Sequence, residues 1–373
     1  MKNNVKNKII AIYENLPSGG ARSLFDSNIL SLKDKFQLLI ISDKRESVKI
    51  NNIFSYLIYV YHKNPIISKI FNRKISNTNL LLTYHSWVTK SSILLRQRKI
   101  PEIYICHEAP REFYDKEYIA NFTFKDKLAN LVRLGIKKID KKNVLANKNL
   151  TIIANSKFSA KTIYEIYGIK PRIIYPGINL AKFGKYQPID KRNDQILCVG
   201  SVNKLKNQKY ILELISKIDK TKKPKVVIIG NGGDSRYINE MYKYAKKNDI
   251  DLVIKKNISD KEVVREYKKS KIFCYAPINE PFGIVLIEAM RSGLPIIVSD
   301  VGGGYNEVVS PLNGLILSPN NELEWSVAIE KLLGDKKLWK KYSQYNYRYA
   351  AKFSDNIMNN KLIKIIQQSL NHP

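Results

Sequence analysis

The stretch Asn279–Gly293, NEPFGIVLIEAMRSG, sets two carboxylates, Glu280 and Glu288, eight residues apart in an otherwise apolar segment. Phe282 and Gly283 lie between them, and Ile284–Ile287 leads directly into the second carboxylate. Burying an unpaired charge among such side chains is prohibitively unfavourable. Glu288 therefore requires either a protein partner or a ligand hydroxyl.

Outward from that stretch the chain has a βα rhythm. On its N-terminal side the apolar runs QILCVG (195–200), VVIIG (226–230), DLVI (251–254) and IFCYA (272–276) read as strands. They alternate with helical patterns starting at Gln208 and spanning Tyr237–Lys247 and Lys261–Lys269. On its C-terminal side Pro295–Ser299 and Gly314–Leu317 supply two more strands, and the chain from Glu322 onward reads as helical throughout. Such alternation predicts a parallel sheet with crossover helices. The polar segment 184–194, GKYQPIDKRND, reads as the linker that precedes this domain.

The first half repeats the architecture. Strands are predicted at Lys8–Tyr13, Phe36–Ser42, Asn79–Thr83, Ile103–Cys106, Leu150–Asn155 and Arg172–Tyr175. Helices are predicted at Ala21–Lys33, Val88–Arg98, Phe124–Asn149 and, behind a Ser156 N-cap, up to Tyr167. Between the first strand and its helix stands Asn15-Leu-Pro-Ser-Gly-Gly20, a place where backbone N–H groups and a helix N-terminus can face a phosphate. Gly19–Gly20 alone is equally an ordinary turn. His85 and His107 fall near strand ends, where parallel sheets bind ligands, and either also reads as a structural histidine.

Composition limits the function classes. A chain of 373 residues, 44% hydrophobic and 26% charged, fits two soluble globular domains. No apolar run reaches the ~20 residues of a membrane span, and the N-terminus lacks the pattern of a signal peptide, which predicts a cytoplasmic protein. Cys106, Cys198 and Cys274 each sit in an apolar run with no zinc-motif spacing and read as buried free thiols. The formal charge of +31 is carried mostly by lysine, and residues 47–101 contain nine basic side chains without one Asp or Glu. This favours diffuse attraction to an anionic surface over bidentate readout. Phe124–Asn149 has apolar residues at helical spacing and eight Lys or Arg against two Asp. It reads either as a core-packed helix with a solvated outer face or as an element lying on an anionic membrane.

Together these residues resemble glycosyltransferase family 4, retaining enzymes of the GT-B architecture. The resemblance covers nearly the whole chain and is most specific in the E-x7-E pattern, Glu280 through Glu288, within NEPFGIVLIEAMRSGLPIIVSDVGGGYNEVV and followed by NGLIL. Supporting pieces are ILCVGSVNKLKNQKYILELI, ANSKFSAKTIYEIYGI with YPGINLAKF, and the early PSGG.

The resemblance implies an α/β fold of two Rossmann-like domains facing a central cleft. The acceptor-side domain would span 1–185 and the nucleotide-sugar domain 186–373, with the last helix crossing back to the N-terminal domain. It implies catalytic roles for Glu280, His107 and Lys206, and donor contacts from Gly19, Gly20, Ser201, Lys204, Phe282, Gly283, Ile284 and Glu288. Glu280 would hold the donor sugar, Glu288 the ribose, and the start of the helix near Gly283 the diphosphate. The family places Arg where this chain has Ser201 and Lys where it has Lys206, so one diphosphate contact departs from the pattern. The implied donor is a UDP- or GDP-sugar, with no cofactor and no metal. The implied partners are a lipid-linked or glycan acceptor and an anionic membrane surface, reached from the cytoplasmic face. No nucleic-acid reading motif is recognisable. A non-catalytic GT-B-like membrane-associated binding protein and a sugar-nucleotide epimerase are the alternative readings.

Overall fold

The computed structural model describes residues 8–15, 19–42, 77–86, 90–91, 100–120, 122, 124–147, 150–301 and 303–371. Among these the short apolar runs form twelve strands in two six-stranded sheets, and the chain divides into two units.

The first unit comprises Met1–Tyr175 with Met358–Pro373. Its strands are β1 (Ile9–Asn15), β2 (Gln37–Ser42), β3 (Leu80–Ser86), β4 (Glu102–Ile105), β5 (Thr151–Ala154) and β6 (Arg172–Ile173). They pair in the order β2-β1-β3-β4-β5-β6, every pair parallel. Parallel neighbours need crossovers. Among the described residues α1 (Gly20–Lys33) lies between β1 and β2. The passage from β4 to β5 holds α2 (Arg111–Tyr114), α3 (Lys116–Ala120), α4 (Phe124–Val132) and α5 (Leu134–Val144); α6 (Lys157–Tyr167) joins β5 to β6. The Ser156 hydroxyl accepts from the Ser159 N–H at 3.0 Å and caps α6, as its sequence predicts. Strand order reverses between β1 and β3, the point at which such sheets open a ligand crevice.

The second unit, Pro176–Ile357, repeats the plan. Its elements are β7 (Gln195–Val199), α7 (Gln208–Ser216), β8 (Lys225–Gly230), α8 (Ser235–Lys247), β9 (Leu252–Lys256), α9 (Asp260–Lys269), β10 (Ile272–Tyr275), α10 (Ile284–Arg291), β11 (Ile296–Ser299), β12 (Gly314–Leu317), α11 (Glu322–Gly334) and α12 (Lys336–Tyr349). Strand order is β12-β11-β10-β7-β8-β9, again parallel, with the reversal between β7 and β10. Ile196, Val226, Ile228, Ile272 and Ile297 fill one core with Leu212, Leu214, Met241, Trp325 and Ile329 from the helices. The last helix, α13 (Asp355–Asn371), joins the first unit from Met358 onward. There the Asn359 side chain donates to the Ser27 hydroxyl at 3.1 Å, and Arg172 donates to Gln368 at 2.6 Å.

Each strand expected from the sequence is present, and the three cysteines are buried and free. Three differences stand out. The helix expected over Phe124–Asn149 breaks at Arg133 into α4 and α5, where Gly135 weakens the helix just after the join. The segment 184–194, read as a linker, lies inside the second unit. There Arg192 is buried, donating to the carbonyls of Gln187, Tyr267, Ser270 and Ser292 and lying over the Trp339 ring. Four carbonyl acceptors satisfy a guanidinium that composition alone would place in solvent. Finally, the helix expected at Val88–Arg98 lies outside the described residues except for Lys90 and Ser91, as does most of the acid-free stretch 47–101.

Candidate active site

In the second unit β7 and β10 are neighbours on either side of the strand-order reversal, and the chain leaves both at the same sheet edge. The loop after β7 runs through Lys204 to Asn207 and the loop after β10 through Glu280 to Gly283. The Ile278 N–H donates to the Leu205 carbonyl at 2.9 Å, which docks one loop on the other. The Lys206 backbone N–H is held by Asn203, whose side-chain oxygen accepts at 3.0 Å. So fixed, the Lys206 ammonium forms an ion pair with the Glu280 carboxylate. Glu280 is itself anchored through its backbone, whose carbonyl accepts from the Gly304 N–H at 2.8 Å.

Tyr275, the last residue of β10, completes this cluster. Burial first, and the neighbouring Glu280 carboxylate second, hold its hydroxyl well above the ordinary phenol range, so it stays a neutral hydrogen-bonding group. Its ring also explains Gly283. That residue caps α10 at φ 77°, ψ 67°, a left-handed conformation, and a Cβ there would lie 3.0 Å from the Tyr275 ring. The glycine is thus required by the turn and by packing. Ile284, half-buried, begins the helix, and the first N–H groups of any helix lack intrahelical acceptors. Phe282 is buried, 6.3 Å from the Phe353 ring.

Glu288 sits on the second turn of α10 and is half-buried. Its protein partner is the Tyr267 hydroxyl on α9, which donates to Oε2 at 2.9 Å, while Oε1 has no hydrogen-bond donor among the described residues. Burial raises the Glu288 carboxyl; Tyr267 and the Lys182 ammonium pull it back. Lys182 pairs with Asp260 at 2.7 Å, so the helix-face lysine partner that a solvated glutamate would have is committed elsewhere. Ser201 is exposed and its carbonyl accepts from the Gln208 side chain at 2.9 Å; Lys204 is exposed nearby in the same loop.

The first unit holds the other expected residues. Gly19, at φ 136°, caps α1, and Gly20 is the helix's first residue; Pro17 and Ser18 lie outside the described residues. His107 follows β4, and its Nε2 is buried with no hydrogen-bond partner among the described residues. Burial lowers its pKa to about 4, leaving a neutral imidazole at neutral pH. His85 behaves alike: burial, then the Lys90 ammonium, bring it to about 4 against the opposing pull of Glu112.

The structure therefore brings Lys206, Glu280, Gly283, Ile284 and Glu288 to one end of the second sheet. It adds Tyr275 and Tyr267, which sequence reading missed. Tyr275 closes the run IFCYA, and its polar tip at a strand end was the available signal; Tyr267 sits in a polar helix with no local signal. Among the described residues no three His, Cys, Asp or Glu side chains gather as metal ligands would. No helix among them is long and apolar enough to cross a membrane.

Residues 182–349, all within the second unit, match the family of glycosyl transferases group 1. An uncharacterized glycosyltransferase of Methanocaldococcus jannaschii is 26% identical over 199 residues, 50% of this chain and 50% of that protein. The chain thus spans about half the length of the curated relatives it matches. Among solved structures, Anabaena HepE in complex with UDP and glucose superposes with a TM-score of 0.71 at 14% identity, over 97% of this chain and 100% of that one. WaaG, a glycosyltransferase involved in lipopolysaccharide biosynthesis, superposes with a TM-score of 0.68 at 14% identity, over 96% and 99%. Residues 182–349 are thus similar to the group 1 glycosyl transferases, and the chain carries a fold of the GT-B class.

Proposed function

We propose that this chain is a retaining glycosyltransferase, of the hexosyltransferase kind, that moves a sugar from a UDP- or GDP-sugar to a lipid-linked or polysaccharide acceptor at the cytoplasmic face of a membrane. The observation that carries the reading is the Lys206–Glu280 pair at the strand-order reversal, directly ahead of the α10 N-terminus and inside the matched region. Two similar folds support it, one described with UDP and glucose and one with lipopolysaccharide biosynthesis.

In this reading a diphosphate draws on the Lys206 ammonium and on the positive end of α10. That frees the Glu280 carboxylate to accept from hydroxyls of the transferred sugar. Oε1 of Glu288, which has no donor among the described residues, accepts from the ribose, while Tyr267 holds Oε2 in place. Phe282, Ile284, Ser201 and Lys204 line the donor site. The family resemblance assigns phosphate contacts to the backbone N–H groups of Gly19 and Gly20 and a sugar contact to His107, whose neutral imidazole would not oppose positive charge at the anomeric carbon. The acceptor hydroxyl attacks on the face the phosphate leaves, and the leaving phosphate takes its proton. Lys206 stabilises the charge that develops on that phosphate. The scheme uses neither a cofactor nor a metal.

A thermal-shift panel of UDP-, GDP-, ADP- and CMP-sugars tests the reading. One nucleotide family should raise the melting temperature, and the same sugar should be transferred to a lipid-linked or glycan acceptor by wild-type protein but not by Glu280→Ala. A protein stabilised by no nucleotide sugar sinks it. Ser201, standing where the family has Arg, favours the second reading of a non-catalytic binding protein, and donor binding without any turnover would establish that instead.

A further inference from the structure

Helix α4 is amphipathic in the wrong sense for a core helix. Its large apolar residues Phe124, Leu128 and Leu131 recur at i, i+4 and i+7, which is one helical face. They are 82%, 58% and 63% exposed, and none of the helix's described side chains is buried. Of the described side chains Ala129 and Asn130 are half-buried, and Asn130 donates to the Glu112 carbonyl at 3.0 Å. Among its described side chains the helix leans on the first unit through Ala129 and Asn130 and turns the row of Phe124, Leu128 and Leu131 to solvent. Leu134, also exposed, extends the row onto α5.

The charges around the row are one-sided. Lys127 on α4 and Lys138, Lys141 and Lys142 on α5 are exposed. Of the two aspartates in this segment, Asp140 is buried, accepting from the Ser91 N–H at 3.0 Å and the Tyr167 hydroxyl at 2.7 Å. Only Asp126 is left exposed against the lysines. Single exposed leucines are ordinary, but a contiguous apolar strip bordered by cations has the chemistry of an interfacial helix.

We propose that the α4–α5 face docks on an anionic phospholipid surface, with Phe124, Leu128 and Leu131 entering the headgroup region and the flanking lysines meeting lipid phosphates. A second copy of this chain fits worse. It would set the same cationic patches against each other in a symmetric contact. Docking there deepens the membrane side of the proposed function, yet its test needs no turnover. Loss of nucleotide-sugar binding would sink that function and leave this docking untouched.

The test compares sedimentation with vesicles of phosphatidylcholine alone and with about one-third phosphatidylglycerol. The variant Leu128→Ser/Leu131→Ser changes no charge and alters only exposed positions. Wild-type protein should bind the anionic vesicles and retain part of that binding in high salt. The double variant should bind roughly tenfold less or weaker, and salt should remove what remains. In a Phe124→Trp protein, tryptophan emission should shift blue with anionic vesicles and not with heparin, a polyanion without an apolar phase. Equal vesicle binding by wild type and double variant overturns the proposal. So does a dimer that the double substitution dissolves while vesicle binding stays unchanged, or an unshifted emission from the vesicle-bound Phe124→Trp protein.

Discussion

The Lys206 ammonium and the Glu280 carboxylate, 74 residues apart in the chain, neutralise one another at the sheet edge where β7 and β10 meet. Both are partly screened from solvent, so each is held by the other and by a pinned backbone rather than by water. A ligand carrying phosphate and hydroxyl groups supplies a replacement partner for each.

Breaking that pair from either side should have separable effects. Glu280→Ala should lower turnover by on the order of a hundredfold or more while nucleotide diphosphate affinity falls little, because Lys206 loses its competitor. Lys206→Ala should weaken diphosphate binding as well as turnover. Calorimetric titration with UDP and GDP beside rate measurements distinguishes the two; equal loss of diphosphate affinity in both variants would contradict the assignment.

Glu288→Gln keeps the side-chain shape and an acceptor for Tyr267 but removes the charge. If the free oxygen meets the ribose, the variant should cost about 1–3 kcal/mol of binding for the natural donor and much less for its 2′,3′-dideoxy analogue. Tyr267→Phe should cost about 1–2 kcal/mol of folding stability, since a half-buried acceptor loses its hydroxyl donor. Calorimetry on each variant reads both quantities.

Ser201 is exposed, and its backbone carbonyl, in the loop after β7, accepts from the Gln208 side chain. Ser201→Arg therefore has room, and a guanidinium there can bind the diphosphate in bidentate fashion where Lys204 offers a point charge. Donor affinity should rise several-fold, on the order of 1 kcal/mol, without loss of melting temperature. No change in affinity would place the diphosphate away from this loop.

Glu102 begins β4, is buried, and accepts from the Asn147 side chain at 2.9 Å. Burial raises its carboxyl from 4.5 to about 8. The folded pKa exceeds the unfolded one, so the stability tied to its neutral form is complete below about 4.5 and lost as pH rises to about 8. Glu102→Gln, which keeps the Asn147 bond, should leave the melting temperature unchanged near pH 4 and raise it near pH 8, by up to a few kcal/mol of stability. His85 and His107 act at the other end. Their lowered pKa values, both about 4, give stability that is present above about 6.5 and lost as pH falls toward 4, and the variant should not alter that limb.

The sequence by itself determined the two parallel sheets, because β-branched runs of strand length and helical periods alternate from β1 to α11 and leave few other packings. Through the family resemblance it also placed the start of α10 near Gly283, while the left-handed turn at that glycine is visible only in the structure. Tertiary structure alone decided the partners. Glu280 meets Lys206 only because strand order reverses between β7 and β10, and Glu288 meets Tyr267 only because that side chain reaches from α9 to α10, where its hydroxyl also lies 3.3 Å from the Val285 carbonyl. Likewise, the periodicity of Phe124, Leu128 and Leu131 defines an apolar face without stating where it points. That direction depends on what the opposite face can bond, and Asn130 reaching the Glu112 carbonyl turns the apolar side outward.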